Sequence, residues 1–130
     1  MAPSLTVEAL KSWLEAYGRA WETQDPELAA SLFRADATYH EVPFDEPMLG
    51  RDAIRAYWQE GADAQEQITF GSEVIVAHAD AGVARWWASF VRRASGNRVQ
   101  LDGVFILRFD ADGRCSSLRE WWHRREEPLA

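Results

Sequence analysis

The sequence has a single cysteine, Cys115, among its 130 residues. One cysteine can form neither an internal disulfide nor a multi-cysteine metal site, so an apolar core must stabilise the fold. Basic residues are also in the minority, with 14 Lys and Arg against 21 Asp and Glu, which gives a net charge of −7. This imbalance argues against nucleic acid as a partner, because binding to a phosphate backbone depends on clustered positive charge.

Long apolar runs are missing as well. No stretch approaches the roughly 20 apolar residues that a transmembrane helix needs, so we expect no membrane partner. The first ten residues, MAPSLTVEAL, lack a basic segment followed by an apolar one, so we expect no signal peptide and a cytoplasmic protein. The length and an apolar fraction of 47% predict one domain spanning residues 1–130.

Tryptophan, by contrast, is abundant, with seven residues in the chain. Four of them form the adjacent pairs Trp86–Trp87 and Trp121–Trp122. Neighbouring side chains on a strand point to opposite faces of the sheet, so these pairs place large aromatic rings on both faces. A sheet that is apolar on both faces needs a second cover, such as a partner subunit.

The first third of the chain predicts helices, and Thr6 or Ser4 can cap the first of them. Apolar residues spaced three and four apart form one helical stripe, made of Leu10, Trp13, Leu14, Tyr17 and Trp21. The segment 25–27, Asp-Pro-Glu, begins a second helix, since Asp caps, Pro fits the first position and Glu favours the positive helix end. We predict a short strand at 37–42, a loop at 43–50 and a third helix at 51–60.

After Gly61 the pattern becomes that of β-strands. Strands are predicted at 66–78, 83–94, 98–109 and 114–125, separated by short segments rich in turn-forming residues, which is typical of an antiparallel meander. The predicted order α-α-β-α-β-β-β-β is an α+β fold with helices on one face of a curved, mainly antiparallel sheet. Small-molecule pockets often lie in the concave space that such a layout creates.

Several segments resemble the nuclear transport factor 2-like superfamily and, within it, the SnoaL-like proteins. They are WETQDPELAASLFRADATYH, LGRDAIRAYW, LDGVFILRFDADGR and LREWWHRRE. The resemblance covers nearly the whole chain and implies a cone-shaped fold, a deep apolar pocket and a homodimer formed through the outer sheet face. It leaves the activity open, because this fold hosts isomerases, dehydratases, cyclases, epoxide hydrolases and binding domains.

Ketosteroid isomerase, one enzyme of the superfamily, offers a first set of site residues. The resemblance places Tyr17 at the position of its helix tyrosine and Glu41 at the position of its carboxylate base. The third position, an aspartic acid in that enzyme, falls on Phe105, whose side chain donates no hydrogen bond. We therefore expect a reaction other than steroid isomerisation.

Limonene-epoxide hydrolase offers a second set. Its Arg-x-Asp pair corresponds to Arg85 and Trp87, and its second aspartate corresponds to Glu120. The arginine is kept, but one carboxylate becomes glutamate and the other becomes tryptophan. A carboxylate pair that activates water is thus only half present, which argues against epoxide hydrolysis.

Strand alternation combined with these two resemblances predicts which residues line the pocket. The inward set is Tyr17, Tyr39, Glu41, Arg85, Trp87, Phe105, Glu120 and Trp122. The outward set is His40, Trp86, Asp102, Trp121 and His123.

The predicted catalytic residues are Glu41 as general base, Tyr17 as hydrogen-bond donor, and Arg85 with Glu120 as a polar anchor. The predicted substrate-binding residues are Tyr39, Trp58, Trp87, Phe105 and Trp122.

Each prediction has a structural alternative. Glu41 is either a base or a strand-end carboxylate paired with an arginine, and Arg85 with Glu120 is either an anchor or a structural ion pair. Asp102 is expected to bridge to Arg98 or Arg108 at a dimer interface.

His78 and His123 have no carboxylate at metal-ligand spacing, so no metal site is predicted. The leading interpretation is an enzyme that uses cofactor-free acid–base chemistry on a mainly apolar cyclic molecule. The alternative is a non-catalytic small-molecule-binding domain.

Overall fold

The computed structural model describes residues 4–129, which form three helices and six strands. In chain order the elements are α1 (Val7–Glu22), α2 (Pro26–Ser31), β1 (Phe33–His40), β2 (Met48–Leu49), α3 (Arg51–Ala64), β3 (Gln65–His78), β4 (Ala81–Arg92), β5 (Asn97–Phe109) and β6 (Cys115–Pro128). The predicted order is confirmed, and the two-residue β2 lies inside the segment predicted as a loop. None of the described helices is both long and apolar enough to cross a membrane.

Both predicted helix starts are confirmed by their caps. The Thr6 hydroxyl accepts a hydrogen bond from the backbone N–H of Ala9 at 3.0 Å, and the Asp25 carboxylate accepts one from the N–H of Leu28 at 3.0 Å. Such caps satisfy backbone donors that have no partner within the helix. They set the direction in which α1 and α2 pack on the sheet.

The sheet order is β2-β1-β6-β5-β4-β3. The four long strands form the predicted antiparallel meander, while β1 adds to β6 in parallel. Strand β1 therefore begins at Phe33, earlier than predicted, because pairing with Cys115 of β6 extends it. The three helices cover one face of the sheet, and the buried core lies between them and that face.

The predicted inner faces of β5 and β6 are confirmed. Phe105 and Leu118 are fully buried, and Glu120 is 6% exposed. The predicted inner face of β4 is wrong: Trp86 is 2% exposed whereas Trp87 is 39% exposed.

The pairing of β4 with β5 explains this correction. Ala84 lies opposite Phe105 and Trp86 lies opposite Gly103, and residues directly opposite each other share a face. Arg85 and Trp87 therefore point to the outer face. The sequence of β4 itself indicates the buried face, because positions 84, 86, 88 and 90 are all apolar whereas the other face includes Arg85 and a serine.

Gly103 makes room for this arrangement at the centre of the sheet. It lies between Trp86 of β4 and Trp122 of β6, whose side chains share the inner face. A methyl group at Gly103 would come within 2.8 Å of the Trp122 Cβ atom. The Trp121 carbonyl oxygen would be closer still, so the missing side chain allows the backbone of β6 to pass close to β5 at this point.

We expect the Gly103→Ala variant to lose about 1–3 kcal/mol of unfolding free energy, because the added methyl overpacks the sheet. Urea denaturation measures this loss. The matched control is Gly61→Ala in α3, where the nearest atom to the new methyl would lie 3.9 Å away. That variant should gain about 0.5–1 kcal/mol from helix propensity. Equal effects of the two substitutions would contradict this account of Gly103.

Candidate functional site

A cavity of about 330 Å³ lies between helices α1 and α3 and the inner face of the sheet. Its volume is at the lower end of the range for small-molecule sites. Eight aromatic side chains line it, namely Tyr17, Trp21, Tyr39, Tyr57, Trp58, Trp86, Phe90 and Trp122. The predicted wall residues Tyr39, Trp58 and Trp122 are among them.

Tyr17 is the centre of the aromatic packing. Its ring centroid lies 5.0 Å from that of Trp58, with the rings nearly perpendicular, and 5.2 Å from that of Phe105. Phe105 in turn stacks against Trp86 at 5.2 Å and is fully buried. Phe105 therefore supports the cavity wall from behind, rather than lining the cavity as predicted. Aromatic pairs of this kind contribute about 0.5–1.5 kcal/mol each beyond their burial.

Three glutamates line the cavity, and two of them, Glu41 and Glu120, are withdrawn from solvent whereas Glu60 of α3 is exposed. Glu120 enters from the inner face of β6, and Glu41 enters from the segment that follows β1. Within residues 4–129, neither carboxyl lies within salt-bridge distance of an arginine or lysine. The expected Arg85–Glu120 pair is thus wrong, and so is the alternative of an arginine partner for Glu41.

The surroundings of the two carboxyls separate their pKa values. Burial raises the pKa of Glu120 well above its ordinary range, and the negative charge of Glu41 raises it further. Partial burial also raises the pKa of Glu41, but a hydrogen bond with Tyr57 favours its charged form and opposes the rise. Two like charges in one dry cavity disfavour each other. Glu120 therefore holds its proton more firmly, and Glu41 ionises first.

A pair of tyrosine hydroxyls lies beside these carboxyls. The hydroxyl oxygens of Tyr17 and Tyr39 are 2.8 Å apart, and both side chains are buried. Burial raises the pKa of both tyrosines well above the ordinary value, so both stay protonated. One hydroxyl donates to the other, so the second keeps a proton that it can donate elsewhere. The sequence analysis placed both residues in the pocket but did not foresee that they pair.

Tyr57 and Trp86 are site residues that the sequence analysis missed. Tyr57 lies within the helix predicted at 51–60 but was not predicted to line the pocket, and Trp86 was assigned to the wrong face of its strand. The Trp122 indole N–H donates to the backbone carbonyl of Glu41 at 3.1 Å. This bond ties the end of β1 to β6 next to the cavity, which fixes the position from which the Glu41 side chain starts.

The remaining predicted site residues lie on the outer face. Arg85 binds the Asp102 carboxylate in a bidentate pair with nitrogen–oxygen distances of 2.5 and 3.1 Å, and its guanidinium lies 4.8 Å from the centre of the Trp87 ring. Asp102 therefore faces outward as predicted. Its partner is Arg85 instead of the expected arginines, because Arg98 binds Ser89 and Arg108 binds an aspartate.

His40 lies outside the cavity lining. Within residues 4–129, no three His, Cys, Asp or Glu side chains are grouped in a way that could hold a metal ion.

A family model described as "SnoaL-like domain" matches residues 14–118. The chain belongs to the SnoaL-like domain family. The predicted family and the nuclear transport factor 2-like fold are both confirmed. In this SnoaL-like domain the cavity occupies the space between helices and sheet that the resemblance implied.

Three known proteins illustrate the range of similar chains. A steroid Δ-isomerase of Nocardioides simplex is 28% identical over 97 residues, which is 75% of this chain and 76% of the relative. The epoxide hydrolase/cyclase-like enzyme SalBIII, which has a role in pyran ring formation in salinomycin, has a TM-score of 0.78 at 18% identity, covering 89% of this chain and 92% of SalBIII.

The third protein, from Catenulispora acidiphila, has a ketosteroid isomerase-like fold and is described in complex with trimethylamine. It has a TM-score of 0.74 at 19% identity, covering 90% of this chain and 86% of that protein. At these identities the two structural likenesses establish the fold only.

The raised pKa of Glu120 predicts how stability depends on pH. Because the folded state holds this proton more tightly than the unfolded state, the protein loses stability as pH rises from about 4.3, the unfolded value, through the folded pKa. Glu120→Gln should remove this loss and melt higher than the wild type above neutral pH. The difference in unfolding free energy between the variant and the wild type should grow by at most about 1.4 kcal/mol per pH unit inside that window.

Melting temperatures measured at a series of pH values test this expectation. Glu126→Gln is the control of opposite sign, because hydrogen bonding to Arg92 lowers the pKa of Glu126. That variant should lose stability at pH values above the ordinary glutamate range. A Glu120→Gln variant that follows the wild-type pH profile would show that Glu120 titrates normally.

Proposed function

We propose that this SnoaL-like domain is an enzyme that performs cofactor-free acid–base chemistry on a small, mainly apolar cyclic molecule in the cavity. One observation carries the proposal: two carboxyls withdrawn from solvent, with no basic partner within residues 4–129, share an aromatic cavity and differ in burial. Environments that push the pKa values of two acids apart let one act as acid and the other as base at the same pH. Glu41 is the base, and Glu120 is the acid.

The geometry supports a division of roles within the cavity. Ionised Glu41 accepts a proton from the substrate, while protonated Glu120 donates to a substrate oxygen. The free hydroxyl proton of the Tyr17–Tyr39 pair provides a second donor close to Glu120. Each correctly placed acid or base typically contributes about 10²–10⁴-fold in rate.

Glu120 also supplies a donor that Phe105 does not. The two residues lie directly opposite each other on β5 and β6, so their side chains share the inner face. A protonated carboxyl next to Phe105 thus takes over the part that an acid at position 105 would play. The similarity to a steroid Δ-isomerase supports an isomerase-type reaction, and cyclase, dehydratase and hydrolase chemistry need the same acid and base.

The second candidate is a non-catalytic domain that binds a small molecule. The Catenulispora acidiphila protein, described in complex with trimethylamine, favours this candidate because a chain of this fold can hold a small organic compound. Turnover separates the two candidates, since both need the same cavity.

The Glu41→Gln variant should bind the ligand within about threefold of the wild type and lose at least about 100-fold in turnover, because the amide keeps the shape but accepts no proton. A thermal-shift screen of cyclic ketones, alcohols and ethers finds the ligand, since binding to the native state raises the melting temperature. Turnover is then followed by mass spectrometry. Glu15→Gln on the exposed side of α1 is the matched control and should behave as wild type. Unchanged turnover in Glu41→Gln would exclude Glu41 as the base.

We also propose that the outer sheet face forms a homodimer. Val104 and Trp121 are neighbours across β5 and β6, Trp87 lies on the adjacent strand, and the three side chains are 38–40% exposed. Adjacent exposed apolar side chains of this size commonly mark an interaction surface. The Arg85–Asp102 pair beside them carries both charges, which suits a two-fold interface where each surface meets itself.

The variants Trp87→Glu and Trp121→Glu should halve the mass measured by light scattering at micromolar concentration, because each buries a charge in the interface. Phe44→Glu is the control, since Phe44 is 99% exposed in the loop before β2. It should leave the mass unchanged. A monomeric wild type would contradict the proposed dimer.

A further inference from the structure

The aromatic wall of the cavity offers ring surfaces rather than polar groups. The indole nitrogens of Trp58 and Trp86 are buried inside the aromatic cluster, without a hydrogen-bond partner among the described residues. Trp21 contacts both rings, with centroid distances of 6.2 and 5.9 Å, and its own N–H is bonded to Gln65. The indole N–H groups of Trp21, Trp58 and Trp86 are thus either bonded within the protein or buried.

The charges that reach the cavity are mostly negative. The acidic residues Glu41 and Glu60 line it beside the protonated Glu120, whereas Arg92 at its rim is paired with Glu126 at 3.1 Å. Arg124 also lines it but is exposed near the end of β6. The interior therefore combines aromatic rings with carboxyls that have no basic partner.

This combination favours positive charge over negative charge on a bound molecule. The face of an aromatic ring attracts a cation through its quadrupole, and the attraction increases when water is excluded. The carboxylate of Glu41 adds to this attraction for a cation.

We propose that the cavity stabilises positive charge that develops on its substrate while a carbon–oxygen bond of a cyclic alcohol or ether breaks. This inference rests on the acid and base roles proposed above and names the substrate class on which they act.

With an alcohol, the reaction consists of two proton transfers within the cavity. The Glu120 proton moves to the hydroxyl oxygen, the C–O electron pair leaves with water, and the carbon becomes electron-deficient. Glu41 then takes a proton from the neighbouring carbon, whose C–H electron pair forms the double bond. Solvent carries the proton from Glu41 back to Glu120. The products are an alkene and water.

Two compounds of the same shape test the charge preference. One is the 4-hydroxy-1,1-dimethylpiperidinium ion, and the other is 4,4-dimethylcyclohexanol, in which carbon replaces the charged nitrogen. Calorimetric titration of the full chain at neutral pH gives both dissociation constants. The ammonium ion should bind about tenfold more tightly, which is the preference expected for a desolvated cation over aromatic rings. Equal binding, tighter binding of the alcohol, or no binding of the ammonium ion at millimolar concentration would overturn the proposal.

Two sets of variants identify the cavity residues that produce the preference for the ammonium ion over the alcohol. Trp58→Leu should reduce the ratio of the two affinities by about threefold, and Trp58→Phe, which keeps an aromatic face, should retain it. Glu41→Gln removes the negative charge of the ionised carboxylate, so it should weaken binding of the ammonium ion but leave binding of the alcohol unchanged. It remains a valid test if Trp58→Leu does not fold. Affinity ratios that stay at the wild-type value in all three variants would show that the preference for the ammonium ion does not arise in this cavity.

Failure of this inference is distinguishable from failure of the proposed function. The binding equilibrium of the two compounds is measured separately from turnover, so their affinity ratio reports only the charge preference. Loss of turnover in Glu41→Gln with no preference for the ammonium ion would refute the cationic step and keep the acid–base assignment. A clear preference with unchanged turnover in Glu41→Gln would refute the base and keep the charge preference.

Discussion

The buried carboxyl of Glu120 is the group on which the rest of the site depends. An ionised carboxylate without a partner is costly to bury, so a group in this position keeps its proton instead. Its position follows from strand alternation, which turns Glu120 inward between two outward residues of β6. The aromatic wall maintains the low dielectric around it, and Glu41, half exposed at the end of β1, can then carry the negative charge of the pair.

Several features of the fold serve this arrangement. Gly103 allows the backbone of β6 to lie close to β5 between Trp86 and Trp122, which share the inner face with Glu120. The hydroxyls of Tyr17 and Tyr39 satisfy each other in a region that offers few other partners. Packing and chemistry are thus linked, since the same rings that stabilise the core exclude water from the carboxyl.

Much of the fold could be predicted from local signals. Helix caps at Thr6 and Asp25 and the turn-rich separators depend on neighbouring residues, and they gave the correct order of elements. The faces of β4 were wrong because a distant resemblance outweighed the apolar pattern of the strand itself, which includes Trp86. The pairing of Tyr17 with Tyr39 and the lack of a partner for Glu120 were not predictable, because they depend on how distant segments meet in space.

The most direct test of this account is the titration of Glu120 by ¹³C NMR of the carboxyl carbons, with Glu126 as an internal reference. The account predicts that Glu120 is still protonated at pH values where Glu126 is fully ionised, with the Glu120 pKa far above the ordinary glutamate value. A Glu120 carboxyl that titrates together with exposed glutamates would contradict it, because the cavity would then hold two ionised carboxylates and no acid.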